Sequence, residues 1–398
     1  MTASRPVVYD PYDYAVHEDP YPFYERLREE APVYCNADGG FWALSRHADV
    51  SAGLKDAKRL SNRDGVSLDP AASGAIARTT MSFLAMDPPD HGRLRNLVSR
   101  AFTFRRVNEL EPRIREITLE HLLPVLDEGT FDFIERVAGK VPTDVISELL
   151  GVPAVDRAEL RRLADVVVHR DEGVRDVPPA AAEAAITLIQ YYDAMIRERE
   201  ARPTQDLTSG LIDANVDGER LTGRDIIAVV FLLVVAGNET TTKLLGNCWY
   251  WAGRNPEQRA KPFADRTKVE RWVEETLRYD GSTQMLARTA LEDIPLHGTT
   301  IPTDARVLLL LGAANRDPRV FVAPDRYDLD RDNRELVSFG AGRHFCLGAP
   351  LARMEARVVL EELVDRVADY EIDLAGVRRT HSINVRGLSA LPTKVVPR

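Results

Sequence analysis

Apolar residues recur at three- and four-residue spacing over most of the 398-residue chain, the mark of amphipathic helix. The pattern predicts helices around 21–30, 92–101, 107–127, 142–150, 157–169, 180–200, 222–253, 266–279 and 350–368. Strand-like pieces are short: Phe41 to Ser45, Leu291 to His297, Arg306 to Leu310, and the ends of the C-terminal segment. Stretches rich in Pro, Gly and Asp interrupt the pattern at 62–75, 86–91, 171–179 and 317–333. Pattern alone therefore gives an α-rich fold with minor β. One helix stands apart. Thr222-Gly223-Arg224-Asp225 resembles a capping box, and Ile226 to Val235 is apolar on every side, as an interior helix is. Ala236-Gly237-Asn238-Glu239-Thr240-Thr241-Thr242 then places small and polar residues, poor helix formers, in that greasy element. A local rule broken inside a consistent element marks a functional site. The plainer alternative is a kink in which threonine hydroxyls bond the preceding turn.

Composition narrows the class. The length allows two or three domains, yet no Gly/Ser linker, low-complexity tract or repeat marks a boundary. Charged residues, 29% of the chain, are spread throughout, which argues against disorder. The net charge of −10 argues against a nucleic-acid partner. The three cysteines, Cys35, Cys248 and Cys346, lie far apart. That spacing excludes a disulfide framework, a zinc finger or an iron–sulfur cluster held by cysteines of this chain, and fits a reducing compartment. The N-terminus opens no apolar signal segment, and the longest apolar run, Ile226 to Ala236, is too short for a bilayer. A soluble cytoplasmic protein without a membrane partner is expected.

The stretch Phe339-Gly340-Ala341-Gly342-Arg343-His344-Phe345-Cys346-Leu347-Gly348 surrounds one cysteine with glycines that let the backbone curl towards the sulfur. Pro350 suits a first helical turn, and Leu351, Met354, Val358 and Val359 continue as a buried face. Cys346 thus precedes a helix N-terminus, where the dipole favours thiolate. A small buried hydrophobe and a nucleophile paired with His344 are the competing readings.

The spacing of Phe339, Gly340, Gly342, His344, Cys346 and Gly348 resembles the haem-binding signature of the cytochrome P450 superfamily. The resemblance implies that Cys346 is the metal ligand, its thiolate bound to haem iron, with Phe339 and Gly348 shaping the haem site. It extends from the Tyr21-Pro22-Phe23 region to Arg386-Gly387-Leu388. Implied with it is a mainly α fold with small β-sheets, the haem lying between a long central helix and the Cys-loop helix. Residues 1–398 would form a single domain, its β-containing N-terminal part and larger helical part not independent. Ala236 and Gly237 match the positions that leave room for dioxygen, and Glu239 and Thr240 the acid–alcohol pair. Dioxygen activation needs protons, which a hydroxyl can position and a carboxylate relay from solvent. Asn238 stands where an apolar residue is common, a departure expected to alter the pocket or its water. His91 and Arg95, i,i+4 neighbours, match the His-x-x-x-Arg that binds haem propionates; Arg288 and His344 match two further propionate positions. Glu275 and Arg278 match the ExxR pair, with Arg326 of Pro324-Asp325-Arg326-Tyr327 as the implied third member of a structural triad. Tyr279-Asp280-Gly281 departs from the usual proline and is expected to change a pocket turn.

The implied function is a haem-thiolate monooxygenase, carrying haem b (iron protoporphyrin IX), that inserts one oxygen atom of O2 into an apolar small molecule. Electrons would come from NAD(P)H through a ferredoxin or flavodoxin and its reductase, docking on Arg93, Arg343, Arg353 and Arg357 of a monomer. The rivals are a haem-thiolate peroxygenase or atypical oxidative coupling enzyme, and a non-catalytic haem-binding protein. The substrate pocket would draw on Ile76, Met81, Phe83, Leu84, Val166, Val167, Val168, Leu232, Val235, Met285, Leu286, Asn384 and Val385. That mostly apolar lining favours a terpenoid, steroid, polyketide or fatty acyl group. Arg78 and His169 are the candidates for gripping a carboxylate.

Overall fold

The computed structural model describes residues 6–102, 104–168, 175–216 and 218–398. The expected helices are present, among them Tyr21–Glu30, Asp90–Ala101, Glu111–Glu128, Val141–Leu150, Ala154–Val168, Pro179–Ala201, Gly223–Arg254, Val269–Asp280 and Ala349–Arg366. The expected 107–127 helix is instead two, Phe104–Glu109 and Glu111–Glu128. Pro112 provides the reason, since proline suits a first helical turn and not an interior. Helices at His47–Lys55, Leu207–Asp213 and Pro256–Ala264 escaped the pattern because they are short and carry narrow apolar faces.

The main sheet has five strands in the order Val33–Asn36, Phe41–Leu44, Arg306–Leu309, Leu286–Ala290 and Leu60–Ser61. Arg306–Leu309 runs parallel to Phe41–Leu44 and antiparallel to Leu286–Ala290. Leu286–Ala290 was not expected as a strand: four of its five residues are buried, so it shows no alternation. The expected Leu291–His297 strand shrinks to Ile294–Leu296, in a separate two-stranded ribbon. The largest apolar cluster gathers around the central helix Gly223–Arg254, while smaller clusters lie on either side of the five-stranded sheet.

The capping box forms at the start of the central helix. Asp225 N donates to Thr222 Oγ1 at 3.2 Å, and Thr222 N donates to Asp225 Oδ2 at 3.0 Å. The helix then runs unbroken through the threonine stretch. Among the described residues it is the one helix long and apolar enough to cross a membrane, so the apolar run is less short than its uninterrupted core suggested. It lies instead among the other helices, its largest side chains buried against them.

Two buried charge networks brace the fold. Glu275 and Arg278, both fully buried, pair through two bonds of 2.7 and 2.8 Å. The third member is Arg331, whose Nε lies 3.3 Å from Glu275 Oε1. Arg326 is not that member: it is exposed and offers only its carbonyl to Arg278, at 3.2 Å. Arg278 also donates to Asn315 O at 3.0 Å, and Asn315 reaches Val337 N (2.8 Å) and Ser338 Oγ (2.7 Å). This chain of bonds anchors the strand of backbone that enters the Cys346 loop. In the second network Asp280 accepts from Tyr21 (2.6 Å), Trp251 (2.8 Å) and Arg386 (2.6 Å). Asp280 therefore binds the Tyr21–Glu30 helix, the central helix and the C-terminal segment together.

Candidate active site

The Cys346 loop needs its glycines at two points. Gly340 and Gly342 have φ of +71° and +69°, where side chains are strained. A Cβ at Gly342 would also stand 3.1 Å from Leu54 O and 3.2 Å from Lys55 Cα. The turn closes when Cys346 N donates to Phe339 O at 3.0 Å, and the helix beginning at Ala349 leads away from it. The Arg353 guanidinium lies 4.4 Å from the centre of the Phe339 ring. Burial pushes the Cys346 thiol up, against the opposing pull of the Gly348 and Ala349 N–H groups and of Arg95. The helix N-terminus acts in the expected direction, and burial of the sulfur opposes it.

Near the loop lies a set of donors with no acceptor. His91, on the Asp90–Ala101 helix, is buried, and its ring centre is 4.0 Å from that of His344. His91 Nε2 and His344 Nδ1 are buried without a hydrogen-bond partner. Arg95 spends one N–H on Phe345 O at 2.6 Å. Arg288, 2% exposed on its strand, bonds only the carbonyl of Ala287, at 2.8 Å. Among the described residues no carboxylate pairs with Arg95 or Arg288. Burial and Arg95 hold His91 down to about 4; burial, His91 and Arg288 hold His344 down to about 3. Burial, with Arg306 adding to it, brings Arg288 down to about 10. Two imidazoles and two guanidiniums converging on a thiol fit a planar iron-bearing group with two carboxylates. His344 makes no hydrogen bond to Cys346 among the described residues, which removes the Cys/His nucleophile reading.

In the middle of the central helix, over 229–249, the positions that are not buried are Leu233, Val235, Ala236, Gly237 and Thr240. Thr240 Oγ1 donates to Ala236 O at 2.7 Å, so its hydroxyl is held in the preceding turn without a kink. A Cβ at Gly237 would meet only Ile146, at 3.9 Å, so packing does not demand glycine there. Glu239 is buried, with Lys243 Nζ 3.3 Å from its Oε2, and burial together with Glu239 pushes the Asp165 carboxyl up to about 7. Neither Lys243 nor Asp165 was found by sequence reasoning; the available signal was a lysine four residues after Glu239 in an apolar helix. Asn238 points elsewhere. It accepts from Thr143 Oγ1 at 2.7 Å in a buried contact with the Val141–Leu150 helix, so it braces helices and does not reshape the pocket.

Of the expected pocket residues, Phe83 and Val385 are buried, while Ile76 is exposed. Arg78 pairs with Asp90 at 3.1 Å, and Asn384 bonds Ser67. His169 lies outside the described residues. Three of the four expected docking arginines are already paired: Arg353 with Glu274 (2.6 Å), Arg357 with Glu111 (2.6 Å) and Arg93 with Glu219 (3.7 Å). Arg343, also exposed, is the one of the four that pairs with no carboxylate among the described residues.

A cytochrome P450 family model matches residues 259–368, the stretch that carries the Glu275–Arg278 pair and the Cys346 loop. Putative cytochrome P450 123 of Mycobacterium tuberculosis is 55% identical over 98% of both chains. The vitamin D(3) 25-hydroxylase of Pseudonocardia autotrophica is 39% identical, covering 100% of this chain and 99% of its own. The solved structure of cytochrome P450 CYP109Q5 from Chondromyces apiculatus superposes with a TM-score of 0.90 at 36% identity over 98% of each chain. The chain belongs to the cytochrome P450 family. It is a monooxygenase of the bacterial type that uses haem iron, O2, a small-molecule substrate and a redox partner.

Proposed function

We propose that this monooxygenase holds haem b with Cys346 as its iron ligand and hydroxylates an apolar molecule the size of a sterol or polyketide. When bound, the haem supplies the oxidising chemistry that breaks the O–O bond of dioxygen. The observation that supports this reading best is the unpaired donor set of His91, Arg95, Arg288 and His344 beside Cys346. These four would bind the two propionates and fix the ring, with Phe339 and Gly348 shaping the cysteine's side. Ala236 and Gly237 would leave room above it. Thr240 would hold a hydroxyl near the reacting oxygen, and Glu239 would carry protons to that hydroxyl. The substrate class is supported by the apolar character of Phe83, Leu232, Val235 and Val385 and by the relative named for vitamin D(3) hydroxylation. All 398 residues would act as one domain, as a cytoplasmic monomer, with electrons from NAD(P)H through a ferredoxin or flavodoxin and its reductase.

A visible-absorption titration of the purified protein with terpenoids, steroids, macrolides, fatty acids and small aromatics tests this. The expected result is a low-spin spectrum that shifts towards high spin with an apolar polycyclic compound. A spectrum that only small polar acids shift would overturn the substrate class. Absence of a thiolate-ligated Soret band after haem reconstitution would overturn the role of Cys346.

A further inference from the structure

Where the central helix ends, Arg254, Arg378, Arg379, His381, Tyr250 and Glu18 line a surface cleft of about 300 Å³. Three guanidiniums thus meet one carboxylate, and that carboxylate is 58% exposed, with its Oε1 3.7 Å from His381 Nε2. Arg254, the last residue of the helix, is exposed and pairs with no carboxylate among the described residues. Arg378 donates only to the carbonyls of Ala375 (2.7 Å) and Val377 (2.8 Å). Arg379 points most clearly to a missing anion. Its side chain is 12% exposed, and its Nη1 is buried without a hydrogen-bond partner, 3.8 Å from Asp280 Oδ2. Asp280 is already occupied, because its oxygens accept from Arg386, Tyr21 and Trp251. The carbonyls at the helix end are occupied too: Asn255 donates to Trp251 O (2.8 Å) and to Ala252 O (3.2 Å). A largely buried guanidinium with an unused donor costs stability until an anion completes it. Leu374 and Val377 give the cleft an apolar wall, and the Tyr250 ring centre lies 5.8 Å from Arg379 Cζ.

We propose that this cleft binds a phosphate monoester of a small apolar or aromatic molecule. Guanidinium forks match phosphate oxygens two at a time, and a dianion suits three cations better than a single carboxylate does. Arg379 and Arg254 grip the phosphate, while Leu374, Val377 and Tyr250 cover the organic part. The two arginines come from distant segments of the chain. A bound ligand therefore fastens the end of the central helix to the ribbon of Arg378–Arg379 and Leu388–Ala390.

Calorimetric titration of the full-length, haem-loaded protein with inorganic phosphate, phenyl phosphate and acetate, at fixed ionic strength, tests this. Haem is kept in place because the donors beside Cys346 would otherwise take phosphate too. Phenyl phosphate is expected to bind saturably, one per chain, several-fold tighter than inorganic phosphate, and to raise the melting temperature. The haem spectrum is expected not to change. Arg379→Gln is expected to weaken binding roughly 10- to 100-fold, and the exposed Arg254→Gln roughly tenfold. Arg224→Gln, at the other end of the central helix, is expected to leave it unchanged. No saturable binding, or an affinity that neither Arg379→Gln nor Arg254→Gln lowers, would overturn the proposal. So would an equal loss in Arg224→Gln, the sign of diffuse attraction, or a spin shift that tracks the binding heat and places the ligand in the haem pocket. Acetate binding as tightly as phenyl phosphate would overturn the phosphate class, and equal affinity for inorganic phosphate would overturn the organic part.

Discussion

Two charge clusters, one fully buried and one partly so, lie by the Cys346 loop, and they are built in opposite ways. Behind the loop, Glu275 meets Arg278, Arg331, Asn333 and the Asp328 N–H, so its oxygens are saturated. In front of it, His91, Arg95, Arg288 and His344 bring donors and no carboxylate. A cluster whose charges cancel stabilises a fold once formed, since removing one partner strands the other in low dielectric. A cluster of one sign costs stability and is kept only where a ligand of the opposite sign repays it. The contrast separates residues that hold the protein together from those proposed to hold its haem.

Mutations test the contrast most strongly at Glu275. Glu275→Ala strands Arg278 and Arg331 and is expected to cost about 3–5 kcal/mol, a large share of a typical domain's stability. Little folded protein should be recovered, and denaturant midpoints within error of the parent would break the comparison. Asp280→Asn is expected to cost slightly less, because the Tyr21 and Trp251 bonds can persist. Its pH dependence is specific: Arg386, with Arg379 and the Tyr21 bond, holds the Asp280 carboxyl below its ordinary value despite burial. Unfolding therefore takes up a proton as pH falls below about 4, and the contribution, complete above that pH, is lost in acid. Comparing acid melts of parent and variant should show that part of the acid sensitivity gone.

At Arg288 the sign should reverse. Arg288→Leu removes a buried unpaired cation, so haem-free protein is expected to melt no lower, and haem retention to fall roughly 10- to 100-fold, the equivalent of about 1.5–3 kcal/mol. A haem-free form that melts much lower would place Arg288 with the structural charges. The smallest effect is expected at Arg353, whose pair with Glu274 is partly exposed: Arg353→Ala should change stability by less than about 1 kcal/mol. It should also leave the salt dependence of reduction unchanged, whereas Arg343→Ala lowers that slope if the redox partner docks there.

The legible part of this site was the part written in short stretches of chain. Gly340, Gly342 and Cys346 belong to one loop, and Ala236 to Thr240 to little more than one turn, so spacing alone exposed them. Arg331 was misassigned to Arg326 because both follow Pro324 closely, and which guanidinium turns inward depends on the path of an irregular loop. Asn238 was expected to alter the pocket because an apolar residue is common at its position; a helix sends adjacent side chains in different directions, and the bond from Thr143 turns this one towards the Val141–Leu150 helix.

The chain's periodicity and its glycine, proline and cysteine placements by themselves determined the helical class, the central helix with its polar interruption, and the thiol loop. Those features arise from backbone geometry within a few residues, which sequence reports directly. Tertiary structure alone decided that Asp280 would join Tyr21 to Arg386, that the arginines of the supposed docking face would be largely neutralised, and that Arg331 would complete the Glu275 cluster. Each joins residues far apart in the chain. The choice among many possible charge partners is made by the packing that brings them within hydrogen-bond distance and removes water from between them.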